Sequence, residues 1–363
     1  MTTIAIVGAG YMGRTHAESW SNLGLGEDIK YVCSPRSGRP LEHAPRAQAV
    51  SDLEVVLQDP DVDVLSVCTP TPSHRAIAVA ALRSGKNVLL EKPIALTVDD
   101  ALAIQHEAER SGTVLMLAQV VRFFEGYRLL RNDVADGKLG TVLSARAHRY
   151  INRPDWAPWW HDEAQSGGVL VDFAIHDFDQ MNLFLGEPVS VTASATHDLG
   201  PVETTIRYRD GGVGQVLSFA DLHPDAPFTS GIGILGTLGM ADYEFSAGSP
   251  TDAASGDGDR SAGSRYRIAG TNDAGVEDLP AEDPYTRQIE YFLRCVTTGT
   301  PPKLSPASSA IRALEVSLAA RSSLQTGASV EIESVVADPS LLVGAAAGVR
   351  QGASVHPHDR SDQ

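Results

Sequence analysis

"IAIVGAGYMGRTHAESW", residues 4–20, is the stretch that decides how the chain begins to fold. An apolar, β-branched run ends in a glycine-rich turn, and a segment with helical spacing follows it. The first glycine of G-x-G-x-x-G permits a tight bend, the second lets the backbone approach a pyrophosphate, and the third permits close helix packing. The alternative is a plain strand–turn–helix, because this pattern alone is weak evidence. The residues expected to contact a dinucleotide are Gly8, Gly10, Tyr11, Met12 and Gly13.

Strand and helix patterns alternate through the first third of the chain. The apolar segments, such as 62–68 and 114–118, are continuous rather than alternating, and helical segments such as 75–84 separate them. Continuous apolar strands are typical of a parallel sheet whose two faces are both covered by helices. The sequence therefore predicts an α/β fold that begins with a doubly wound Rossmann domain over residues 1–120.

The pattern changes after residue 120. Segments such as 203–209 and 214–220 alternate apolar and polar residues, which is typical of strands with one solvated face. We therefore expect a second α/β domain over 121–335, with an open, mostly antiparallel sheet that covers a ligand or pairs with a second subunit. Residues 246–282, rich in Ser, Gly and Asp, are predicted to form a mobile insertion, and residues 336–363 a disordered tail.

Composition and charge restrict the class of protein. The 363 residues carry a formal net charge of −17, which argues against a nucleic-acid partner or an anionic membrane surface. Cys33, Cys68 and Cys295 have no disulfide or metal spacing, so we expect reduced thiols. No apolar run approaches the about 20 residues that span a bilayer, and no leader pattern precedes the first strand. We expect a cytoplasmic protein with a small-molecule partner.

The segment after the second predicted strand bears on the choice of coenzyme. An NAD-selective site usually carries a carboxylate here for the ribose hydroxyls. This chain has Ser34 and Arg36 instead, and these can bind a 2′-phosphate. The pattern favours NADP over NAD. The alternative is that Arg36 only stacks on adenine and that either coenzyme binds.

A longer motif follows in "VLSVCTPTPSHRAIAVAALRSGKNVLLEKPIALT", residues 64–97. With the glycine turn and "SGGVLVDFAIHDFDQMNLFLGEP", residues 166–188, it resembles the Gfo/Idh/MocA family of NAD(P)-dependent sugar and cyclitol oxidoreductases. The resemblance implies a Rossmann domain, an open-faced α/β domain, and homodimers or homotetramers assembled through the open sheet. It also implies a lysine, here Lys92, beside the nicotinamide and the reacting carbon. The other coenzyme contacts that the resemblance implies are Thr69, Pro70, His74 and Glu91.

The family's Gly-Gly-x-x-x-Asp-x-x-x-His pattern matches this chain from Gly167 to His176. Asp172, His176 and Asp179 are spaced to share one face of a helix. Oxidation of an alcohol needs a base for the hydroxyl proton and a cation for the developing alkoxide. As in the family, we predict that Lys92, Asp172 and His176 form the catalytic group, with His176 as the base. Asp179 is predicted to be a structural partner, and a structural role for His176 is the alternative.

Candidate substrate residues lie in and around "RAHRYINRPDWAPWWHD", residues 146–162. Tryptophan faces can pack against a sugar ring, or they can cap the core. Alternate strand residues share a face, so the basic residues of this segment can bind an anionic group together, or pair with the chain's own carboxylates. Gln119 stands in a region where the family often has Asn or His. The predicted substrate contacts are Arg122, Tyr127, Arg146, His148, Arg153, Trp156 and Trp160, with Asp172 and His176.

The motifs together favour one function over two others. The sequence predicts an NAD(P)-dependent dehydrogenase that acts on a secondary hydroxyl or ketone of a sugar, sugar derivative or cyclitol. The alternative is a glycosidase that transiently oxidises C3 and then eliminates an aglycone, with an anionic or aryl glycoside as its substrate. A third is a coenzyme-bound sensor without turnover, which the intact Lys92, Asp172 and His176 set argues against. No histidine or cysteine spacing fits a metal site.

Overall fold

The structure is a computed structural model with two sheets joined by helices. It describes residues 2–35, 41–152, 162–197, 200–223, 225–247, 263–270 and 274–335. The predicted contacts Arg36, Arg153, Trp156 and Trp160 therefore lie outside the described residues, as does the tail from 336 to 363.

Six parallel strands form the first sheet, in the order β3-β2-β1-β4-β5-β6. These strands are β1 (Ile4–Val7), β2 (Ile29–Cys33), β3 (Gln48–Val50), β4 (Val64–Val67), β5 (Asn87–Glu91) and β6 (Leu115–Ala118). The helices among them are α1 (Tyr11–Asn22), α2 (Leu53–Leu57), α3 (His74–Arg83) and α4 (Val98–Ser111). The strand order reverses between β1 and β4, where doubly wound sheets bind ligands at the carboxyl ends of their strands. The predicted Rossmann domain is confirmed.

Nine strands form the second sheet, in the order β14-β13-β12-β11-β7-β10-β9-β8-β15. Within this second sheet, β7 and β10 are the only described strands that pair in parallel, so the prediction of a mostly antiparallel sheet is confirmed. The strands are β7 (Val142–Tyr150), β8 (Pro188–Ala195), β9 (Val202–Tyr208), β10 (Val213–Phe219), β11 (Thr229–Gly236), β12 (Met240–Ser246), β13 (Gly263–Ala269), β14 (Gly275–Leu279) and β15 (Val330–Glu331).

The remaining helices pack on the second sheet, on the Rossmann domain or on both. They are α5 (Glu125–Ala135), α6 (Glu163–Ser166), α7 (Ile175–Leu185), α8 (Pro284–Thr298) and α9 (Ala307–Thr326). Helix α7 packs on β7 and β10, while α9 contacts α7, β8, α4 and β6. Helix α8 packs on α1, and its Phe292 shares a core with Trp20. The C-terminal helices thus fix the second sheet against the Rossmann sheet.

Part of the predicted insertion over 246–282 is wrong. Strands β13 and β14 lie in this stretch and extend the second sheet beyond β12. Ser264 and Tyr266 are buried while the alternate residues Arg265 and Arg267 are exposed, which is the pattern of a strand with one covered face. The Gly- and Ser-rich residues around this short pattern concealed it. Residues 248–262 and 271–273 lie outside the described ranges.

No helix in the described part of the chain is long and apolar enough to cross a membrane.

Candidate functional site

The glycine turn after β1 has the shape that a bound phosphate requires. Gly8 has a φ of +107°, and a Cβ there would lie 2.3 Å from the carbonyl oxygen of Cys68. A Cβ on Gly13 would lie 1.9 Å from the carbonyl oxygen of Gly8, so neither position accepts a side chain. A Cβ on Gly10 would meet nothing within 4 Å, which leaves the backbone open at the start of α1. Free N–H groups at a helix N-terminus suit an anionic phosphate.

His74 holds two loops of this edge together. It is fully buried, and its ring nitrogens each lie 2.8 Å from a backbone carbonyl oxygen, those of Thr69 and Pro93. Burial lowers the pKa of this imidazole. Both ring nitrogens face the protein backbone, and contact between His74 and the coenzyme stays a prediction. Thr69 and Pro70 remain accessible at the end of β4.

Glu91 connects helix α1 to the segment that carries Lys92. A carboxylate oxygen of Glu91 lies 3.0 Å from Nε2 of His16, and the other accepts the backbone N–H of Lys92 at 3.1 Å. His16 is fully buried and Glu91 is nearly so, and Glu91 thereby positions the backbone of Lys92; its contact with the coenzyme stays a prediction. The sequence reasoning missed His16, because nothing in the local pattern separates it from the other residues of α1.

Lys92 and Asp172 meet although 80 residues separate them. Nζ of Lys92 donates to the backbone oxygen of Asp172 at 2.6 Å and lies 3.3 Å from its Oδ1. Asp172 belongs to a π-helical turn, Val169–Phe173, and not to α7 as its spacing predicted. The structure thus brings the Glu-Lys-Pro segment and the Asp/His segment together at the carboxyl edge of the Rossmann sheet.

His176 lies in the first turn of α7 and is partly buried. Neither of its ring nitrogens has a hydrogen-bond partner among the described residues. Burial, followed by the positive charges of Lys92 and Arg149, holds its pKa well below the usual value. The ring is therefore neutral near pH 7 and is able to accept a proton.

Two residues predicted to bind substrate lie in the interior instead. The Arg122 guanidinium donates to both carboxylate oxygens of Asp179, at 2.5 and 2.6 Å, and to the backbone oxygen of Leu304 at 2.7 Å. Tyr127 is 2% exposed and packs edge-on against Tyr243, with 5.1 Å between ring centroids. Arg122 therefore serves as the counter-ion of the buried Asp179 and Tyr127 faces the core, and a contact of either residue with substrate stays a prediction. The structural role predicted for Asp179 agrees with its ion pair.

Strand β7 carries basic residues on both faces. Arg146 and His148 share a face as predicted, but that face lies opposite the one on which α7 packs. Arg146 donates to Gln215 at 2.5 Å, and His148 stacks on Tyr150 with 5.1 Å between centroids. Neither lies on the face of β7 that α7 and His176 cover, and their contact with substrate stays a prediction.

Arg149 is the basic residue of β7 that faces α7, and the sequence reasoning did not select it. It is buried, and it donates to both carboxylate oxygens of Asp177 at 2.8 and 2.9 Å. The rings of Phe173 and Phe228 flank it at 5.8 and 5.9 Å. Ala145, Ala147 and Arg149 are alternate residues of β7, so they share one face, and all three are buried. The small apolar alanines were the sequence signal that this face is the covered one.

The site offers no metal centre in the described part of the chain, where no group of three candidate ligands converges. Ser34 follows β2, and its backbone N–H donates to the carbonyl oxygen of Val50 at 2.9 Å. The contact of its side chain with the coenzyme stays a prediction. Tyr11 is 50% exposed and Met12 is partly buried at the start of α1, beside the glycine turn.

Known proteins are similar to this chain in sequence and in fold. The chain is 32% identical over 171 residues to 1,5-anhydro-D-fructose reductase of Ensifer adhaerens, covering 47% of this chain and 51% of that protein. It is 27% identical over 350 residues to myo-inositol 2-dehydrogenase of Thermotoga maritima, covering 92% and 99%. The crystal structure of GenD2 from gentamicin A biosynthesis, in complex with NAD, aligns with a TM-score of 0.75 and 25% identity, covering 92% and 96%.

Family models match both sheets. A model described as an oxidoreductase family with an NAD-binding Rossmann fold matches residues 2–119, and the GFO/IDH/MocA C-terminal domain matches residues 127–242. These matches confirm the predicted family and the predicted class of enzyme, a nicotinamide-dependent oxidoreductase. Together they span more than half of the chain, which therefore belongs to the Gfo/Idh/MocA family.

Proposed function

We propose that the protein transfers a hydride between a nicotinamide coenzyme and a secondary hydroxyl or ketone of a sugar, sugar derivative or cyclitol. The observation that carries the proposal is the contact between Lys92 and Asp172, which brings a cation, a carboxylate and the neutral His176 to one place. This place lies at the carboxyl edge of the Rossmann sheet, on the same side as the open glycine turn.

Each of the three side chains has one role in alcohol oxidation. The bound coenzyme supplies the hydride acceptor. His176 accepts the hydroxyl proton, because its lowered pKa keeps the ring neutral. The Lys92 ammonium donates a hydrogen bond to the substrate oxygen and stabilises the negative charge that develops there. Asp172 orients Lys92 through its backbone and carboxylate oxygens. In the reverse direction, the protonated His176 returns the proton to the ketone oxygen.

The coenzyme is a nicotinamide dinucleotide, and for its 2′-position we propose a preference for NADP. The family model carries an NAD-binding fold, and GenD2 was solved with NAD. Support for the phosphate comes from the sequence alone, since Ser34-Pro35-Arg36-Ser37 contains no carboxylate to repel it. Comparing kcat/KM with NAD and NADP for the wild type and for Arg36→Ala tests the preference. Equal loss with both coenzymes would contradict it.

The redox-assisted glycosidase is not favoured. The relative matched along 99% of its length is named as a dehydrogenase, and no observation in the described residues points to a leaving group. The substrate contacts predicted at Arg153, Trp156 and Trp160 stay predictions.

For the assembly, we propose a homodimer or homotetramer formed through the uncovered face of the second sheet. Leu235 and Met240 lie on β11 and β12 of this sheet and are 49% and 36% exposed. Exposed apolar groups on an open sheet suit an interface between copies. Light scattering after gel filtration measures the mass, and a monomer at micromolar concentration would contradict this part of the proposal.

The catalytic roles are tested by Lys92→Ala and His176→Ala. We expect each variant to lose most of the turnover, by about 100-fold or more, because a proton acceptor or an electrostatic donor is removed. Coenzyme affinity, measured by the quenching of protein fluorescence, is expected to change little. Arg146→Ala serves as the matched control, since Arg146 lies on the far face of β7. Near-normal turnover in either variant would overturn that residue's role.

A further inference from the structure

A cavity lies beside His176, where the carboxyl edge of the Rossmann sheet meets helices α7 and α9. The space in which the centre of a water molecule fits has a volume of about 10 Å³. This is close to the minimum volume of a cavity that holds one water. Lys92, Gln119, His176 and Asp179 supply its polar lining. The apolar lining includes Leu117 and Ala310, which are 0% and 4% exposed, so this side of the cavity is buried.

Gln119 brings a hydrogen-bond donor to this cavity. Its Oε1 accepts from Ser305 at 3.0 Å and from Ser309 at 3.3 Å. Its Nε2 donates to Asp179 at 2.7 Å. A side-chain amide has two N–H groups, and no described residue accepts the second one. This amide is only 5% exposed, so an unused donor here is costly unless a water accepts it.

His176 brings a second group that lacks a partner in the described residues, since neither ring nitrogen is hydrogen-bonded. A base of this kind is normally oriented by a hydrogen bond at the nitrogen that does not face the substrate. The second amide N–H of Gln119 and the ring of His176 therefore lie at one water-sized cavity, which the Asp179 carboxylate also lines.

We propose that Gln119 is a positioning residue that holds one water in this cavity, and that this water accepts the ring N–H of His176 on the side away from the substrate. This inference rests on the proposed function, in which His176 is the base. The water accepts from Gln119 and His176 and donates toward Asp179. When the substrate loses its hydride to the coenzyme, its hydroxyl proton goes to the other nitrogen of His176. The water keeps both of its protons and stabilises the imidazolium.

The charges around His176 come from several elements. Lys92 follows β5, Arg149 lies on β7, Asp172 lies in the π-helical turn, and Asp179 lies one turn along α7. These four charged residues are all present in a variant that only fills the cavity. A change in the pH dependence of such a variant therefore reports on the water.

Ala310→Val is the variant that fills the cavity, because residue 310 lines it from α9. We expect kcat to fall about tenfold, as for the loss of one hydrogen bond to a charged group, with KM changed less than twofold. Without the water the imidazolium loses its acceptor, so the acid limb of the kcat profile moves to lower pH. Ala313→Val, at a fully buried alanine one turn along α9 that is not part of the lining, is the control for overpacking.

Two outcomes overturn the inference and leave the proposed function intact. One is an Ala310→Val enzyme whose acid limb coincides with that of Ala313→Val. The other is a wild-type crystal structure, at a resolution that shows ordered waters, with no water within about 3.2 Å of both His176 and Nε2 of Gln119. This second measurement needs no variant to fold. Turnover that survives His176→Ala overturns the proposed function instead.

Discussion

Strand β7 presents two sets of basic side chains, and they have different environments. On its covered face, Arg149 is 4% exposed and forms a two-point ion pair with Asp177 on α7. On its open face, Arg146 is exposed and bonds to the neutral Gln215. Both are arginines three residues apart in one strand. The face of the strand decides which of them supports the candidate active site.

The difference teaches how a buried charge can assist a site that it does not enter. Arg149 fixes α7 against the second sheet, one residue from His176, and its charge is one of the causes that lower the pKa of that imidazole. Water screens the charge of an exposed arginine such as Arg146, so this charge has little effect on the pKa of His176. Three predictions test this comparison.

The largest effect is expected on stability. Asp177→Ala leaves the Arg149 cation buried without its partner, which costs about 3–5 kcal/mol of unfolding free energy. Arg146→Ala on the open face should change that free energy by no more than about 0.5 kcal/mol. Urea denaturation followed by circular dichroism measures both. Similar losses of unfolding free energy in the two variants would show that the covered and open faces of β7 do not differ in this respect.

A smaller effect is expected on the pH dependence. The acid limb of the wild-type kcat/KM profile should lie below pH 6.5, since His176 has a lowered pKa and must be neutral to act. Arg149→Met with Asp177→Leu replaces the ion pair by apolar groups and keeps the packing. Without the charge of Arg149 the pKa of His176 rises, so the acid limb of the kcat/KM profile moves to higher pH. A limb that stays in place would show that Arg149 does not act on His176.

The smallest effect is expected at the open face itself. Arg146→Ala and His148→Ala should each keep kcat/KM within twofold of the wild type, because neither side chain faces α7. Steady-state kinetics with one fixed coenzyme measures this. A tenfold rise in KM in either variant would instead place the open face at the substrate, as the sequence first suggested.

The sequence predicted the parts of the molecule that depend on local rules. Gly8 and Gly13 stand where a Cβ would collide with the backbone, and such positions are recognisable from spacing alone. The continuous apolar runs predicted the parallel sheet, and the alternating runs predicted the open one. Lys92 and Asp172 were recognised as a pair through the family resemblance, and the structure brings them into contact.

The contacts that local patterns do not reveal depend on which face of an element a residue occupies and on which residue it pairs with. Alternation along β7 groups Arg146 with His148 but does not say which face α7 covers. Arg122 was expected in the pocket, but a buried Asp179 takes it as a counter-ion. His74 was expected at the coenzyme, and the structure adds a contact of its ring with the backbone carbonyl of Pro93, 19 residues along the chain, beside the one with Thr69, five residues before it. Such pairings are tertiary contacts, and no local spacing encodes them.

The measurement that tests the central claim most directly is turnover with sugars, cyclitols, sugar acids and aryl glycosides, each with NAD and with NADP. Reduced coenzyme and released aglycone are followed in the same reaction. The account predicts steady accumulation of reduced coenzyme with a free sugar or cyclitol, and its loss in Lys92→Ala and His176→Ala. Release of aglycone without net reduction of the coenzyme would contradict it, since the same site would then catalyse elimination and not net oxidation.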